Sequence, residues 1–167
     1  MPVARNRSQS ARSIARILTQ YEEVKRERNV IDFYKAESDK PTPLIVYIHG
    51  GGWQAGDKAG TPVEPYLKAG ISVVSINYRV NLYGFLAHPA LDAESPRKTS
   101  GNYGNLDHIQ MLRWVHDNIA RFGGDPANVT IFGQSGGSCR VATLMTMPAA
   151  KGLFHKAIMM SGFVSWR

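Results

Sequence analysis

Apolar residues along the chain fall into short unbroken runs separated by stretches in which they recur at helical spacing. Val30 to Ala36 reads as a strand. Leu44-Ile45-Val46-Tyr47-Ile48 is unbroken and β-branched, as expected of a buried strand, and Ile71 to Ile76 reads as another buried strand. Val129 to Phe132 and Ala157 to Met160 complete the strand set. Between them, a short helix is predicted around Val63 to Ala69, ended by Gly70. A long helix is predicted over Leu106 to Arg121, where Leu106, Ile109, Leu112, Val115 and Ile119 form one apolar stripe. Gly123-Gly124 stop it, and Asp125-Pro126 make a turn. A further helix is predicted from Gly136 to Met147, ended by Pro148. Asn81 to Gly104 reads as irregular. Strands alternating with helices predict an α/β fold: a mostly parallel sheet covered by helices on both faces.

Composition narrows this picture. The 167 residues are 43% hydrophobic and 20% charged, ordinary for a globular domain. The pattern places one domain over residues 30–167, preceded by a basic arm and helix over residues 1–29. No apolar run approaches the ~20 residues of a membrane-spanning helix. Net charge is +7, and the first twenty residues hold Arg5, Arg7, Arg12 and Arg16 with no acid. That arm reads as an organelle transit peptide, a basic arm for nucleic acid, or a solvated amphipathic helix on which Ile14, Ile17, Leu18, Tyr21 and Val24 recur at helical spacing. No apolar h-region follows the arginines, so no secretory signal is read, and the compartment is read as cytoplasmic or left unassigned. Zinc-finger spacing and RNP aromatics are lacking, so no nucleic-acid partner is expected. The single cysteine, Cys139, rules out an internal disulfide.

Two motifs carry chemistry. Gly133-Gln134-Ser135-Gly136-Gly137 follows a predicted strand and opens a predicted helix, the setting in which G-x-S-x-G forms a sharp turn that lifts a serine above the sheet edge. His49-Gly50-Gly51-Gly52-Trp53 also follows a buried strand. Consecutive glycines let backbone N–H groups point into a cleft, as an oxyanion requires. Gly51, Gly52 and Gly136 are the expected donors, and His49 is expected to brace the loop. Gly50, Gly52 and Gly56 after a strand also suggest a dinucleotide phosphate loop, but that fingerprint wants an acid at the end of the next strand. The chain has Ile76-Asn77-Tyr78-Arg79 there, and no Gly-Lys-Ser/Thr.

These motifs, with Tyr83-Gly84-Phe85-Leu86-Ala87-His88-Pro89, Gly101-Asn102-Tyr103-Gly104-Asn105-Leu106-Asp107 and Phe122-Gly123-Gly124-Asp125-Pro126, resemble the α/β-hydrolase esterases. Residues 81–167 resemble the type-B carboxylesterases. Residues 30–80 are similar to bacterial esterase/lipases with an HGGGW loop, and the change near Val80-Asn81 suggests a chimeric gene. The resemblance implies hydrolysis of small, short-chain carboxylic esters through an acyl-enzyme on Ser135, with no metal or organic cofactor. It also implies an acid and then a histidine after the serine. After Ser135 the chain holds one histidine, His155, and no Asp or Glu. His155 is therefore the candidate base by order, with His88 and His49 as fallbacks. His108 and His116 are expected on the helix surface, Asp107 to cap or brace the helix start, and Cys139 to be a small buried hydrophobe.

The fold is expected to be short at its C-terminal side, leaving the last strand at an open edge. A homo-oligomer through that edge, or an aggregation-prone monomer, is expected, with Met145, Met147, Met159, Met160, Phe163 and Trp166 at the contact. The alternative is a catalytically impaired module of the same fold that oligomerises or binds a partner chain.

Overall fold

The computed structural model describes residues 31–162. The basic arm, Phe163 and Trp166 lie outside the described residues. Five strands form one sheet in the order β1-β3-β2-β4-β5. These are β1 (Ile31–Tyr34), β2 (Thr42–Ile48), β3 (Ser72–Ile76), β4 (Gly124–Gln134) and β5 (Lys156–Met160). β1 runs antiparallel to β3, and every other pairing is parallel. Ile48 lies opposite Ile76 on one side and Gly133 on the other, so β2, β3 and β4 end side by side.

Side chains alternate across the sheet, and both faces are covered. On one face, Leu44, Val46, Ile48, Val74, Ile76, Val129 and Ile131 pack against α4 (Tyr103–Asn118) and α5 (Gly136–Thr146). On the other, Tyr47 and Phe132 meet edge to face at 5.4 Å, and Tyr66 of α1 (Glu64–Lys68) lies 6.3 Å from the Phe132 ring. The mostly parallel α/β architecture expected from the sequence is present.

Three expectations need correction. The stretch after β3 is not irregular throughout: it holds α2 (Asn81–Phe85) and α3 (Pro89–Glu94). His88 caps α3, its Nδ1 accepting from the Ala90 N–H at 3.1 Å, and Pro89 occupies the first turn, where a missing N–H costs nothing. Second, β4 begins at Gly124, because the Asp125-Pro126 segment stays extended beside β2, with a register irregularity between Thr42 and Leu44. Third, α4 starts at Tyr103 and passes into a 3₁₀ turn at Ile119–Phe122.

Burial along α4 also differs from the expected stripe. Ile109, Leu112, Val115 and Ile119 are buried, but Leu106 is 38% exposed. His108, expected at the surface, is fully buried. It stands four residues before Leu112 and seven before Val115, which puts it on the apolar side. His116 is exposed, as expected. Cys139 is half-buried, so it is not part of the closed core.

β5 is exposed along its whole length, with Ile158 at 45%, Met159 at 48% and Met160 at 50%. Met145 of α5 is exposed, whereas Met147 packs against the core. No helix among the described residues is long and apolar enough to cross a membrane.

Candidate active site

Ser135 sits at the junction of β4 and α5 with φ 55° and ψ −121°. An L-residue in this region is strained and persists only where its surroundings fix it. The fixing contacts are local. The Ser135 N–H donates to the Met160 carbonyl at 2.9 Å, and the Ser135 carbonyl accepts from the Ser138 N–H at 3.0 Å. A side chain at Gly133 would strike the Gly137 carbonyl, and one at Gly137 would strike the carbonyl of Ile48. Only glycine at these two positions lets the turn close against β2. The result is a half-buried serine presented at the C-terminal end of the sheet, where open α/β sheets bind ligands.

The glycine loop after β2 lies against this turn. A Cβ on Gly50 would stand 2.7 Å from the Gln134 carbonyl and 3.3 Å from the Ser135 Cβ. A Cβ on Gly136 would stand 3.0 Å from the Gly52 nitrogen. Gly51, Gly52 and Trp53 all have positive φ (110°, 60° and 68°). The loop is closed by Gln54 and Ala55 N–H groups donating to the Gly51 carbonyl at 3.1 and 3.2 Å. Among the described residues, the N–H groups of Gly51, Gly52 and Gly136 donate to no backbone acceptor outside regular elements. Strand order, turn geometry and glycine spacing thus bring Gly50 against Ser135 and Gly52 against Gly136.

Behind the loop is a buried polar layer that sequence reading largely missed. His49 is 4% exposed, and its ring stacks on Tyr78 at 4.3 Å. Its Nδ1 contacts the Gly50 carbonyl at 2.8 Å. A carbonyl only accepts, so Nδ1 carries the proton and Nε2 keeps a lone pair with no partner. Burial pushes the His49 imidazole below its ordinary pKa. Tyr78 donates its hydroxyl to the His49 carbonyl at 2.8 Å, and burial pushes its pKa up to about 12. Beyond Tyr78, at 4.2 Å, lies His108, whose pKa burial and the nearby Arg140 cation push down to about 3. His49 therefore braces the loop as expected.

None of the five histidines is hydrogen-bonded to the Ser135 hydroxyl. His155, the candidate by chain order, is displaced to the wrong end of the sheet. Its N–H donates to the Val129 carbonyl at 2.8 Å, and its Nδ1 accepts from the Val129 N–H at 3.2 Å. Val129 precedes Ser135 by six residues of a strand that rises ~3.3 Å per residue. His155 is thus a pairing residue at the start of β5, because parallel strands put their N-terminal ends together. His88 is committed to capping α3, and His116 pairs with Asp117 at 2.9 Å on the surface. No cluster of three or more His, Cys, Asp or Glu able to hold a metal ion occurs among the described residues.

Two arginines, Arg79 and Arg140, lie around the buried polar layer. Arg79 is paired with Asp107 at 2.6 Å. Arg140, on the elbow helix, is 6% exposed and lies over the rings of Trp53 at 4.8 Å and Phe85 at 4.1 Å. Its burial was legible in principle, since it stands three residues after Gly137 and four before Leu144, both buried. Two surface cavities, of about 310 and 350 Å³, open along α5, and Ser135 lines neither.

A family model described as the carboxylesterase family matches residues 25–166, running unbroken through Val80 and Asn81. The fumonisin B1 esterase of Sphingopyxis macrogoltabida is 43% identical over 125 residues, covering 71% of this chain and 22% of that protein. The para-nitrobenzyl esterase of Bacillus subtilis (strain 168) is 45% identical over 130 residues, covering 74% of this chain and 25% of its own. Among solved structures, a PNB esterase superposes with a TM-score of 0.72 at 40% identity, covering 81% of this chain and 29% of the other. The carboxylesterase of Geobacillus stearothermophilus gives 0.70 at 39% identity, covering 78% and 29%. The chain therefore spans about a quarter of the length of these relatives.

Proposed function

The chain belongs to the carboxylesterase family, and from that premise we propose that it serves in the hydrolysis of small, short-chain carboxylic esters through an acyl-enzyme on Ser135. The observation that carries this reading is the contact of the glycine loop with the serine turn: Gly50 abuts Ser135, and Gly52 abuts Gly136. In this reading the Ser135 Oγ attacks the ester carbonyl while its proton passes to a base. The carbonyl π pair moves onto oxygen, and the N–H groups of Gly51, Gly52 and Gly136 hold that oxyanion. Collapse expels the alcohol and leaves the acyl group on Ser135. Water then attacks the acyl carbonyl, releasing the acid and restoring the hydroxyl. No metal or organic cofactor enters.

The base is the open position. All five histidines of the sequence fall among the described residues, and none is hydrogen-bonded to Ser135. Within this chain Ser135 has the oxyanion donors without a base, which leaves a residual rate over water, and full activity needs a histidine brought by another segment or another copy. Retention of the serine, the strained turn and the glycine loop, together with the named esterases at 43% and 45% identity, favours the enzyme over a catalytically impaired module.

We also propose that β5 is covered in solution by a second copy of the chain. A parallel strand at the edge of the sheet among the described residues, with three large apolar side chains about half-exposed, is a template for pairing. Covalent labelling by an ester or fluorophosphonate, compared between the wild type and Ser135→Ala, tests the enzymatic reading. Loss of labelling in the variant supports it, and equal labelling removes it.

A further inference from the structure

Among the described residues, Arg140 is a buried cation with no carboxylate partner. None of the ion pairs formed by the described residues includes it. Its Nη1 donates to Asn105 Oδ1 at 2.8 Å, and its Nε is buried with no acceptor. Burying a charge without a counter-ion is costly, so something must hold the guanidinium there. What holds it is two aromatic rings, one from the glycine loop that borders the serine turn and one from α2. Phe85 ends α2, and Trp53 ends the run of positive-φ residues in the glycine loop.

The placement follows from helix geometry. Arg140 lies one turn after Gly136, and helical side chains lean toward the N-terminus of their helix. Its guanidinium therefore reaches back toward the serine turn. There the Trp53 ring closes over it: a Cβ on Gly136 would stand 3.6 Å from Trp53 Cδ1. Trp53 is strained at φ 68°, is 46% exposed, and is otherwise tied by its carbonyl, which accepts from the Asn81 N–H at 2.6 Å. A ring so exposed on a loop of glycines has little else to fix it. A cation over an indole face is attracted by the ring quadrupole, most strongly where water is excluded.

We propose that Arg140 is the positioning residue of the oxyanion loop: from the elbow helix it clamps Trp53, and through Trp53 it fixes the direction of the Gly51 and Gly52 N–H groups relative to Ser135. The inference rests on the esterase reading for its catalytic consequence and on geometry alone for the clamp. The clamp ties the two halves of the oxyanion hole, which come from different strands, into one unit. It also keeps a positive charge one helical turn from the serine.

The test compares Arg140→Gln, which keeps the stem and an amide but loses the cation, with Arg140→Lys, which keeps the charge. The first readout is acrylamide quenching of Trp53 emission, isolated by difference against Trp53→Phe. The second is Ser135-dependent hydrolysis of p-nitrophenyl acetate. The clamp predicts greater Trp53 quenching in Arg140→Gln, and recovery in Arg140→Lys. It also predicts a kcat loss of roughly 10- to 100-fold with KM little changed, as expected for misdirected donors. Trp53→Leu should give a similar loss, and combining it with Arg140→Gln should add little. Wild-type quenching in Arg140→Gln, or fully additive losses, would overturn the clamp. If the wild type shows no Ser135-dependent turnover, the esterase reading falls and the quenching comparison alone decides the clamp.

Discussion

Arg79 and Asp107 form a buried, two-pronged pair that joins the segment after β3 to the start of α4. Arg79 Nη2 meets Asp107 Oδ1 at 2.6 Å, Arg79 Nε donates to Oδ2 at 2.7 Å, and the Arg79 N–H donates to the same oxygen at 3.0 Å. Both side chains are nearly sealed from water, at 7% and 3% exposure. Asp107→Ala strands a buried guanidinium and should cost about 3 to 5 kcal/mol. Adding Arg79→Met should restore part of that loss, though the Arg79 N–H would still lack its acceptor, at about 1 to 3 kcal/mol. Urea denaturation of the two variants checks the sign: the double variant should be more stable than Asp107→Ala.

Gly137 carries the close approach of α5 to β2. Its added Cβ would overlap the Ile48 carbonyl and stand 2.8 Å from that of His49, both backbone atoms that cannot swing aside. Gly137→Ala should destabilise by about 1 to 3 kcal/mol, as overpacking does. It should also depress Ser135 reactivity in whatever fraction stays folded. Denaturant midpoints and covalent labelling of the folded protein measure the two effects separately.

His108 should make stability fall on mild acidification. Its folded pKa of about 3 lies below the unfolded value of 6.5. As pH drops through 6.5, the unfolded chain binds a proton that the native state refuses. The contribution is fully present above that value and is lost progressively toward pH 3, by at most about 1.4 kcal/mol per pH unit. His49 is shifted in the same direction by burial. Between about pH 7 and pH 5, before carboxylates dominate, His108→Gln should show a shallower fall in urea midpoint than the wild type. Parallel curves would remove the assignment.

Ile158, Met159 and Met160 predict self-association through β5. Ile158→Lys places a charge on the open strand, a device that blunts sheet edges. Light scattering should show an oligomer for the wild type and a shift toward monomer for the variant. A wild-type monomer at high concentration would contradict the contact.

The sheet was legible because its central strands β2 and β3 are short runs rich in β-branched residues, and the serine turn because only residues without a side chain at Gly133 and Gly137 allow its close approach to neighbouring backbone. The glycine loop was legible for the same reason. Less visible was what lies between the elements. α2 and α3 are too short to show a helical period, although His88-Pro89 is a start signal. His108 and Arg140 are polar residues at apolar positions of their helices, and their burial follows from spacing to Leu112 and Leu144, not from residue type. His155 was chosen by chain order alone. Order says nothing of which end of a strand a residue occupies, and the pairing with Val129 decides against it.

The central claim is that Ser135 is a nucleophile facing a formed oxyanion hole. The most direct measurement is mass spectrometry of the chain after exposure to p-nitrophenyl acetate, beside Ser135→Ala prepared identically. The account predicts an acetyl group on the peptide bearing Ser135, with release of p-nitrophenolate exceeding that of the variant. An unmodified Ser135 peptide, with equal release from both proteins, would contradict it.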